Sequence, residues 1–470
     1  MNAVRPNAAE RAQANVSTDG NLYIAHQKVY PREVAGHFNR MRVAATVALL
    51  GLFYSMPWLQ WGGHQAVLFD LPARKFYIFG LTFFPQDFFL LTWLLIIAAL
   101  SLFFFTALAG RLWCGYACPQ TVWTEIFVWM ERWTEGNRQQ RMRLDQSPWN
   151  WDKLLRKGSK QLLWIVFALY TGFTFVGYFT PVRELSASVL TATLGSWEMF
   201  WTLFYGFATY GNAGHMREQV CKYMCPYARF QGAMFDRDTL VISYDEKRGE
   251  PRGSRARGVD PKAKGLGDCI DCTLCVQACP TGIDIRQGLQ LECIACAACI
   301  DACDSVMDRM NYPRGLIRYT TQNALDSKPT RILRPRMIIY GAVLLALITG
   351  FGVAVAKRQL VEVDVLRDRN ALYRQIDNGL IENVYTLRFI NKDTHGHALR
   401  LQAEGIDGLS IDSDHEQQQV GAGEVVSVAV RIRAPAASVS GGRNIEIVVD
   451  SADGEISARS VARFIAPVSR

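Results

Sequence analysis

CIDCTLCVQACPTGIDIRQGLQLECIACAACIDAC, residues 269–303, decides how this chain is read. Cys269, Cys272, Cys275 and Cys279 stand as C-x-x-C-x-x-C-x-x-x-C, and Pro280 follows. Cys293, Cys296, Cys299 and Cys303 repeat the spacing. Close spacing lets three thiolates of one loop cap three irons of a 4Fe-4S cluster, while the fourth cysteine of a run reaches the other cluster. On that rule Cys269, Cys272, Cys275 and Cys303 hold one cluster, and Cys279, Cys293, Cys296 and Cys299 hold the second. Zinc sites use two C-x-x-C pairs with a longer gap, and disulfide frameworks belong to small secreted domains, so both fit less well. Asp304 follows the second run where a proline follows the first, which leaves ligation unaffected.

Around this stretch the composition is uneven. The chain has 470 residues, half of them hydrophobic, and a formal net charge of +8. The positive charge flanks apolar runs, which points to the inner side of a membrane protein and away from nucleic-acid binding. All twelve cysteines lie between Cys114 and Cys303. Cluster cysteines must stay reduced during assembly, so this region is expected in the cytoplasm. No signal peptide is expected, because the residues before Arg42 are polar.

In chain order, residues 1–42 read as a polar, mobile cytoplasmic tail. Five apolar runs follow, each near the ~20 residues a bilayer span needs: 43–59, 88–108, 161–179, one between 186 and 214, and 337–356. The first four form a membrane domain over 43–248. Asp87 is placed to cap the second span. The basic, Trp-rich connection 121–160 suits an interfacial amphipathic helix. Glu198 is read as lying near a span end and not as a functional intramembrane carboxylate. Residues 249–267 read as a flexible linker, making 249–336 linker plus cluster domain. Basic residues crowd the tail and two of the four connections, so the clusters are expected inside and the C-terminus outside. From 357 to 470 the pattern alternates with period two (VEVDVLR, ENVYTLRFINK, VVSVAVRIR, NIEIVVD), with turns at Asn378-Gly379 and Gly441-Gly442, which suggests an Ig-like β-sandwich. His395 and His397 there read as part of an exposed turn.

A second cysteine set remains: Cys114 with Cys118, and Cys221 with Cys225, each C-x-x-x-C-P. At i and i+4 each pair is expected on one helix face, and Pro119 and Pro226 mark a helix end or kink. Soft thiolates suit Cu(I), zinc or iron–sulfur. Met224 and His215 lie nearby and are read as packing or solvent-facing residues.

W-C-G-Y-A-C-P-Q, R-E-Q-V-C-K-Y-M-C-P-Y-A-R-F-Q, the double cysteine run and a terminal β-domain, in this order, resemble the CcoG/FixG (RdxA) family of cytochrome c oxidase accessory proteins. The resemblance runs from about residue 30 to the end. The part up to Cys303 is also similar to NapH-type quinol-linked ferredoxins, and the Ig-like terminal domain favours the first family. The resemblance implies a multi-pass protein of the bacterial inner membrane. It would have about five transmembrane helices, a cytoplasmic bacterial-type 2×4Fe-4S ferredoxin domain and a periplasmic Ig-like domain. It further implies an oxidoreductase that reduces Cu(II) to Cu(I) for assembly of a cbb-type oxidase. Cys114, Cys118, Cys221 and Cys225 would be the catalytic, copper-related thiols. Membrane lipid and the oxidase or its copper-delivery factors are the implied partners, and self-association is compatible with the sequence. Two other functions compete: a quinol-linked electron carrier, and a non-enzymatic assembly scaffold or redox sensor.

Overall fold

The computed structural model describes residues 28–257, 260, 265–368, 371–376, 379–393, 395–412, 417–451 and 457–467. Among them four helices are long and apolar enough to cross a membrane: His37–Trp58, Pro85–Ala109, Trp151–Val176 and Pro335–Ala356. These match four of the five expected spans. The third begins ten residues earlier than its apolar run, because the Asn150 side chain accepts from the Lys153 amide at 2.8 Å and starts the helix. Hydropathy sees only the apolar part of such a helix.

The remaining expected span, between 186 and 214, is not one long helix. It is built from Val182–Leu190, a turn, and Ser196–Thr209, which runs on as a π-helix through Met216. Ser196–Thr209 crosses the third span at two glycines. A Cβ on Gly172 would lie 2.2 Å from the Thr202 carbonyl, and one on Gly206 would lie 3.2 Å from Leu169. Small residues let helix backbones meet this closely. Glu198 falls in the first turn of Ser196–Thr209, at the helix end. The loop before the second span is folded too, with Val67–Asp70, Lys75–Ile78 and Leu81–Phe83 forming a small antiparallel sheet.

The second span organises what sits at either end. Its last carbonyls have no partners within the helix. The Ala107 carbonyl accepts from the Thr239 hydroxyl at 3.0 Å and from Arg334 at 2.5 Å, and Leu108 accepts from the Leu240 amide at 3.1 Å. Gly110 then turns the chain at φ +57°, where a Cβ would meet the Leu240 carbonyl at 2.9 Å. Beyond it lie the first C-x-x-x-C-P and the cluster region. That region is framed by Val241–Tyr244 paired with Ile317–Thr320.

The first span is capped from far away. Asp301, inside the second cysteine run, accepts from the Asn39 amide at 2.7 Å and the Phe38 amide at 3.3 Å. A carboxylate there also complements the positive end of the helix dipole. Gly36 leaves room for it, since a Cβ would lie 2.2 Å from Asp301 Cγ. The described part of the expected mobile tail is therefore anchored: Arg32 N bonds the Gln277 carbonyl at 2.8 Å, and Arg138 and Arg141 hold the Tyr30 and Pro31 carbonyls. The rest of the tail, 1–27, lies outside the described residues. Much of the expected linker is likewise packed. Gly267 N bonds the Pro251 carbonyl at 2.8 Å, and Arg255 reaches Gly267 O at 2.7 Å while lying over the Tyr312 ring.

The C-terminal domain is a β-sandwich. One sheet orders Ser410–Asp412, Val425–Pro435, Leu380–Asn391 and Val361–Arg367, with Arg374–Ile376 added beside Leu380–Asn391. The other orders Gln417–Val420, His397–Glu404, Gly442–Ser451 and Ser457–Ile465. Alternate residues such as Tyr385, Leu387 and Phe389 are fully buried against Ile447 and Phe464 of the facing sheet. Gly441 makes its turn at φ +70°, and Asn378 lies outside the described residues. His395 is exposed, whereas the His397 ring nitrogen is 2.9 Å from Asp393 and largely covered, so the two histidines do not share an exposed turn.

This domain docks on the opposite end of the second span from the clusters. Lys392 Nζ lies 2.7 Å from Asp87 and 2.8 Å from Glu362, and the Lys392 and Asp87 side chains are both 5% exposed. Asp87 also accepts from the Phe84 amide at 3.2 Å, so it caps the turn before the span and not the span itself. Removing one partner of a buried ion pair costs about 3–5 kcal/mol, because the other charge stays buried. Lys392→Met should therefore release the sandwich from the membrane end without unfolding it. Limited proteolysis should cut faster near residues 357–360 in that variant, and adding Asp87→Leu should restore protection. Unchanged cleavage in the single variant would show that the pair does not hold the domain.

Candidate iron–sulfur and thiol site

The two cysteine runs fold as copies offset by 24 residues. Asp271 and Ala295 take φ of +55° and +53°; Thr273 and Ala297 take +57° and +60°. Left-handed non-glycine residues cost about 1–2 kcal/mol each, and repeated left-handed turns aim backbone amides into the loop. Short helices start after each, Leu274–Ala278 and Ala298–Met310. They carry Cys275 and Cys299 inward.

Two small hollows result. Cys269, Cys272, Cys275 and Cys303 line one, with Met307 and Leu316. Cys279, Cys293, Cys296 and Cys299 line the other, with Ile242 and Ile294, and Cys275 reaches it as well. Each hollow has four thiols on apolar walls, the fourth coming from the other half, and this suits a cubane cluster. Burial pushes the Cys275 and Cys293 thiols up to about 12, and the Cys296, Cys299 and Cys303 thiols up as well. Bare thiols there hold their protons, and iron ligation would release them.

The C-x-x-x-C-P pairs do not lie on continuous helices, contrary to the expected i, i+4 face. Cys114 sits in the short helix Leu112–Tyr116, and Cys221 in the π-turn Val220–Met224. Cys118 and Cys225 are extended, with ψ of 128° and 111°, and each precedes the proline that opens the next helix, Pro119–Glu135 or Pro226–Met234. Proline suits a first helical position because its missing N–H would be unpaired there anyway. Both second cysteines thus stand at helix N-termini, where partial positive charge favours a thiolate. Burial pushes Cys118 up, and the amides of Thr121 and Gln120 donating to its sulfur offset part of this. Burial lifts Cys114 to about 11 and Cys221 to about 12, and the neighbouring thiols add to the rise.

The first cysteine of each pair packs beside the second hollow. Cys114 and Cys221 pack against the apolar wall formed by Ala278, Ile294, Cys296, Ala298 and Ala302. Gly115 lies directly on the cluster loop: a Cβ there would be 2.8 Å from the Ala295 carbonyl oxygen and 2.9 Å from that of Ile294. Arg111, 5% exposed, ties the two loops together, donating to the Leu291 carbonyl, to Cys293 O at 3.1 Å and to Ala228 O at 2.6 Å. Gln231 is fully buried, and its Nε2 lies 3.3 Å from Cys114 Sγ. A cavity of about 70 Å³ connects Cys221 with Cys296, bordered by Gln120, Glu125 and Glu218.

Sequence reasoning did not single out Arg111, Gly115 or Gln231. All three lie in or beside the C-x-x-x-C-P motifs, and their spacing from the cysteines was the available signal. Met224 is exposed, and the His215 ring packs 4.9 Å from Tyr210 and 5.8 Å from Trp164, so neither joins the thiols. Among the described residues, no three His, Cys, Asp or Glu side chains converge as ligands of one metal ion do.

Arg111→Met would leave three carbonyls without this donor, each costing about 1–3 kcal/mol when buried. Two of them belong to the loop of the second hollow. Iron and acid-labile sulfide should fall from about eight each per chain to about four. Unchanged iron in this variant would show that Arg111 does not hold that loop.

Fold and site together define a membrane-anchored 4Fe-4S dicluster protein with an Ig-like terminal domain. Residues 216–322 match the family of 4Fe-4S dicluster domains, residues 90–137 a 4Fe-4S binding domain, and residues 351–467 the Ig-like fold at the C-terminus of FixG. The chain is 37% identical to nitrogen fixation protein FixG of Rhizobium meliloti, covering 83% of this chain and 82% of that protein. It is 40% identical to RdxB and 39% identical to RdxA of Cereibacter sphaeroides, over 83% of this chain and 85% and 84% of theirs. The chain belongs to the FixG/RdxA/RdxB family. A crystal structure of a FixG-related protein from Vibrio parahaemolyticus aligns with 23% of this chain and 97% of its own, at 28% identity and a TM-score of 0.21.

Proposed function

We propose that this iron–sulfur protein is a membrane cupric reductase serving assembly of a cbb-type cytochrome c oxidase. Cys269, Cys272, Cys275 and Cys303 would hold one cluster, and Cys279, Cys293, Cys296 and Cys299 the other. Such clusters supply electrons singly, which matches a one-electron copper couple. Copper is the substrate: Cu(II) gains one electron at Cys114, Cys118, Cys221 and Cys225, and the soft thiolates retain Cu(I) until it passes to the oxidase or a delivery factor. The crowding of basic residues in the tail and two of the connections supports clusters in the cytoplasm and an Ig-like domain in the periplasm.

One observation carries this reading. The backbone at Gly115 touches the loop of the second hollow, so the thiol pairs and the iron–sulfur ligands form one packed unit. Protein reduced with dithionite and freed of excess reductant should convert about two Cu(II) to Cu(I) per chain, one per cluster. A Cu(I)-specific chelator measures the yield under nitrogen. Clusters that stay reduced in the presence of Cu(II) would reject copper chemistry and leave a plain electron carrier.

A further inference from the structure

A second cavity, of about 300 Å³, lies beside the thiol site and has no role in the account above. Its walls include Glu131, Lys160, Gln161, Trp164, His215 and Arg217. Lys160 and Gln161 stand where the charged start of Trp151–Val176 gives way to its apolar remainder. His215 comes from the end of the segment that crosses this helix. The cavity therefore sits at the cluster-side end of two apolar segments. It shares Val29, Arg217 and Glu218 with the smaller cavity that reaches Cys221 and Cys296.

Its cations are already committed. Arg217 is 2.8 Å from Glu131 Oε2, Lys160 is 2.9 Å from Glu135, and Lys28 is 2.8 Å from Asp145. The unmet group is an acceptor. Glu131 is 1% exposed and its Oε1 has no hydrogen-bond partner among the described residues, the Lys28 ammonium being 3.8 Å away. A buried acceptor without a donor costs about 1–3 kcal/mol. The cavity thus calls for a ligand that donates hydrogen bonds, which disfavours a phosphate. The Trp164 ring is covered by the Lys160 and Arg217 cations, at 4.7 and 5.4 Å from its centre, so the exposed His215 ring is the aromatic face this wall offers to a flat ring.

We propose that this cavity binds the ring of a membrane-soluble hydroquinone, the electron donor to the clusters. One hydroxyl donates to Glu131 Oε1 and the other to a ring nitrogen of His215, while the tail follows the apolar helix surfaces. Oxidation breaks the two O–H bonds and leaves the quinone. Its two electrons pass one at a time to the iron–sulfur clusters, one proton goes to His215 and the other to water. This site requires that the clusters carry electrons, as proposed above, and does not depend on copper being the acceptor.

The probe is a short-tailed ubiquinol and the full-length protein in detergent under nitrogen. Calorimetry on dithionite-reduced protein reads binding without electron transfer, and the visible absorbance of oxidised protein reads cluster reduction. Wild type should bind one ubiquinol per chain and lose cluster absorbance. His215→Phe, at an exposed position, should bind about tenfold more weakly or worse, the cost of one lost hydrogen bond, and Glu131→Gln, which keeps an acceptor oxygen but loses the charge, should bind more weakly by a smaller factor. Dithionite should still reduce both variants fully. No saturable binding to wild type overturns the proposal, as does wild-type affinity in a His215→Phe protein with full iron. Competition by retained phospholipid would make this a headgroup site and overturn it too. Ubiquinol reduction of the clusters without Cu(I) formation would reject copper alone. Cu(I) formation from dithionite with no ubiquinol binding would reject this site alone.

Discussion

Gly115→Val should lower Cu(II) reduction about 100-fold while both clusters remain in place. Gly115 has no Cβ, and the carbonyl oxygens of Ile294 and Ala295 occupy the space one would need. Contacts of 2.8 and 2.9 Å are closer than carbon and oxygen allow, and neither partner is a side chain that can swing away. Two backbones must separate. Overpacking of this kind costs about 1–3 kcal/mol, well within what the remaining contacts absorb, so the chain should still fold. The damage falls on geometry, since a displacement near 1 Å at a reacting site can cost about 100-fold in rate. Alanine should give the same effect in smaller measure. Iron analysis fixes the cluster content, and stopped-flow absorbance follows cluster reoxidation by Cu(II). A Gly115→Val protein that reoxidises at the wild-type rate would show that electrons do not cross this contact.

The sequence disclosed the cluster residues more readily than their setting, for a physical reason. Ligand spacing is local: three cysteines within seven residues can surround a cluster whatever the rest of the chain does. The alternation of the terminal domain is equally local, because one face of each strand must be apolar. Capping of the first helix by Asp301, the contact of Gly115 with Ala295, and the Asp87–Lys392 pair join residues far apart in the chain. A single sequence holds no signal for such pairings.

The broken form of the fourth expected span has a different cause. An apolar window around Ser196–Thr209 satisfies hydropathy, but the segment enters through a separate short helix and leaves as a π-helix. The small sheet over Val67–Phe83 escaped because strands of three or four residues show too few alternations to register. Pro119 and Pro226 were legible as helix boundaries. Reading each cysteine pair as one helix face placed the boundary one step late, because these prolines open helices and leave the preceding cysteine extended.

The central claim is that copper meets electrons at the four membrane-end thiols. Serine keeps the size of cysteine but offers a hard oxygen in place of a soft sulfur, so Cu(I) loses its preferred ligand. Cys114 and Cys118 stand outside both hollows that fit clusters, as do Cys221 and Cys225, so their loss should spare the iron. The most direct measurement is single-turnover Cu(II) reduction by dithionite-reduced protein, comparing wild type with Cys114→Ser/Cys118→Ser and with Cys221→Ser/Cys225→Ser. Both double variants should hold full iron and sulfide, insert into the membrane, and form no Cu(I). Cys272→Ser should do the reverse, losing iron while still binding copper. Wild-type Cu(I) formation by either thiol double variant would contradict the account and place the meeting of copper and electrons elsewhere.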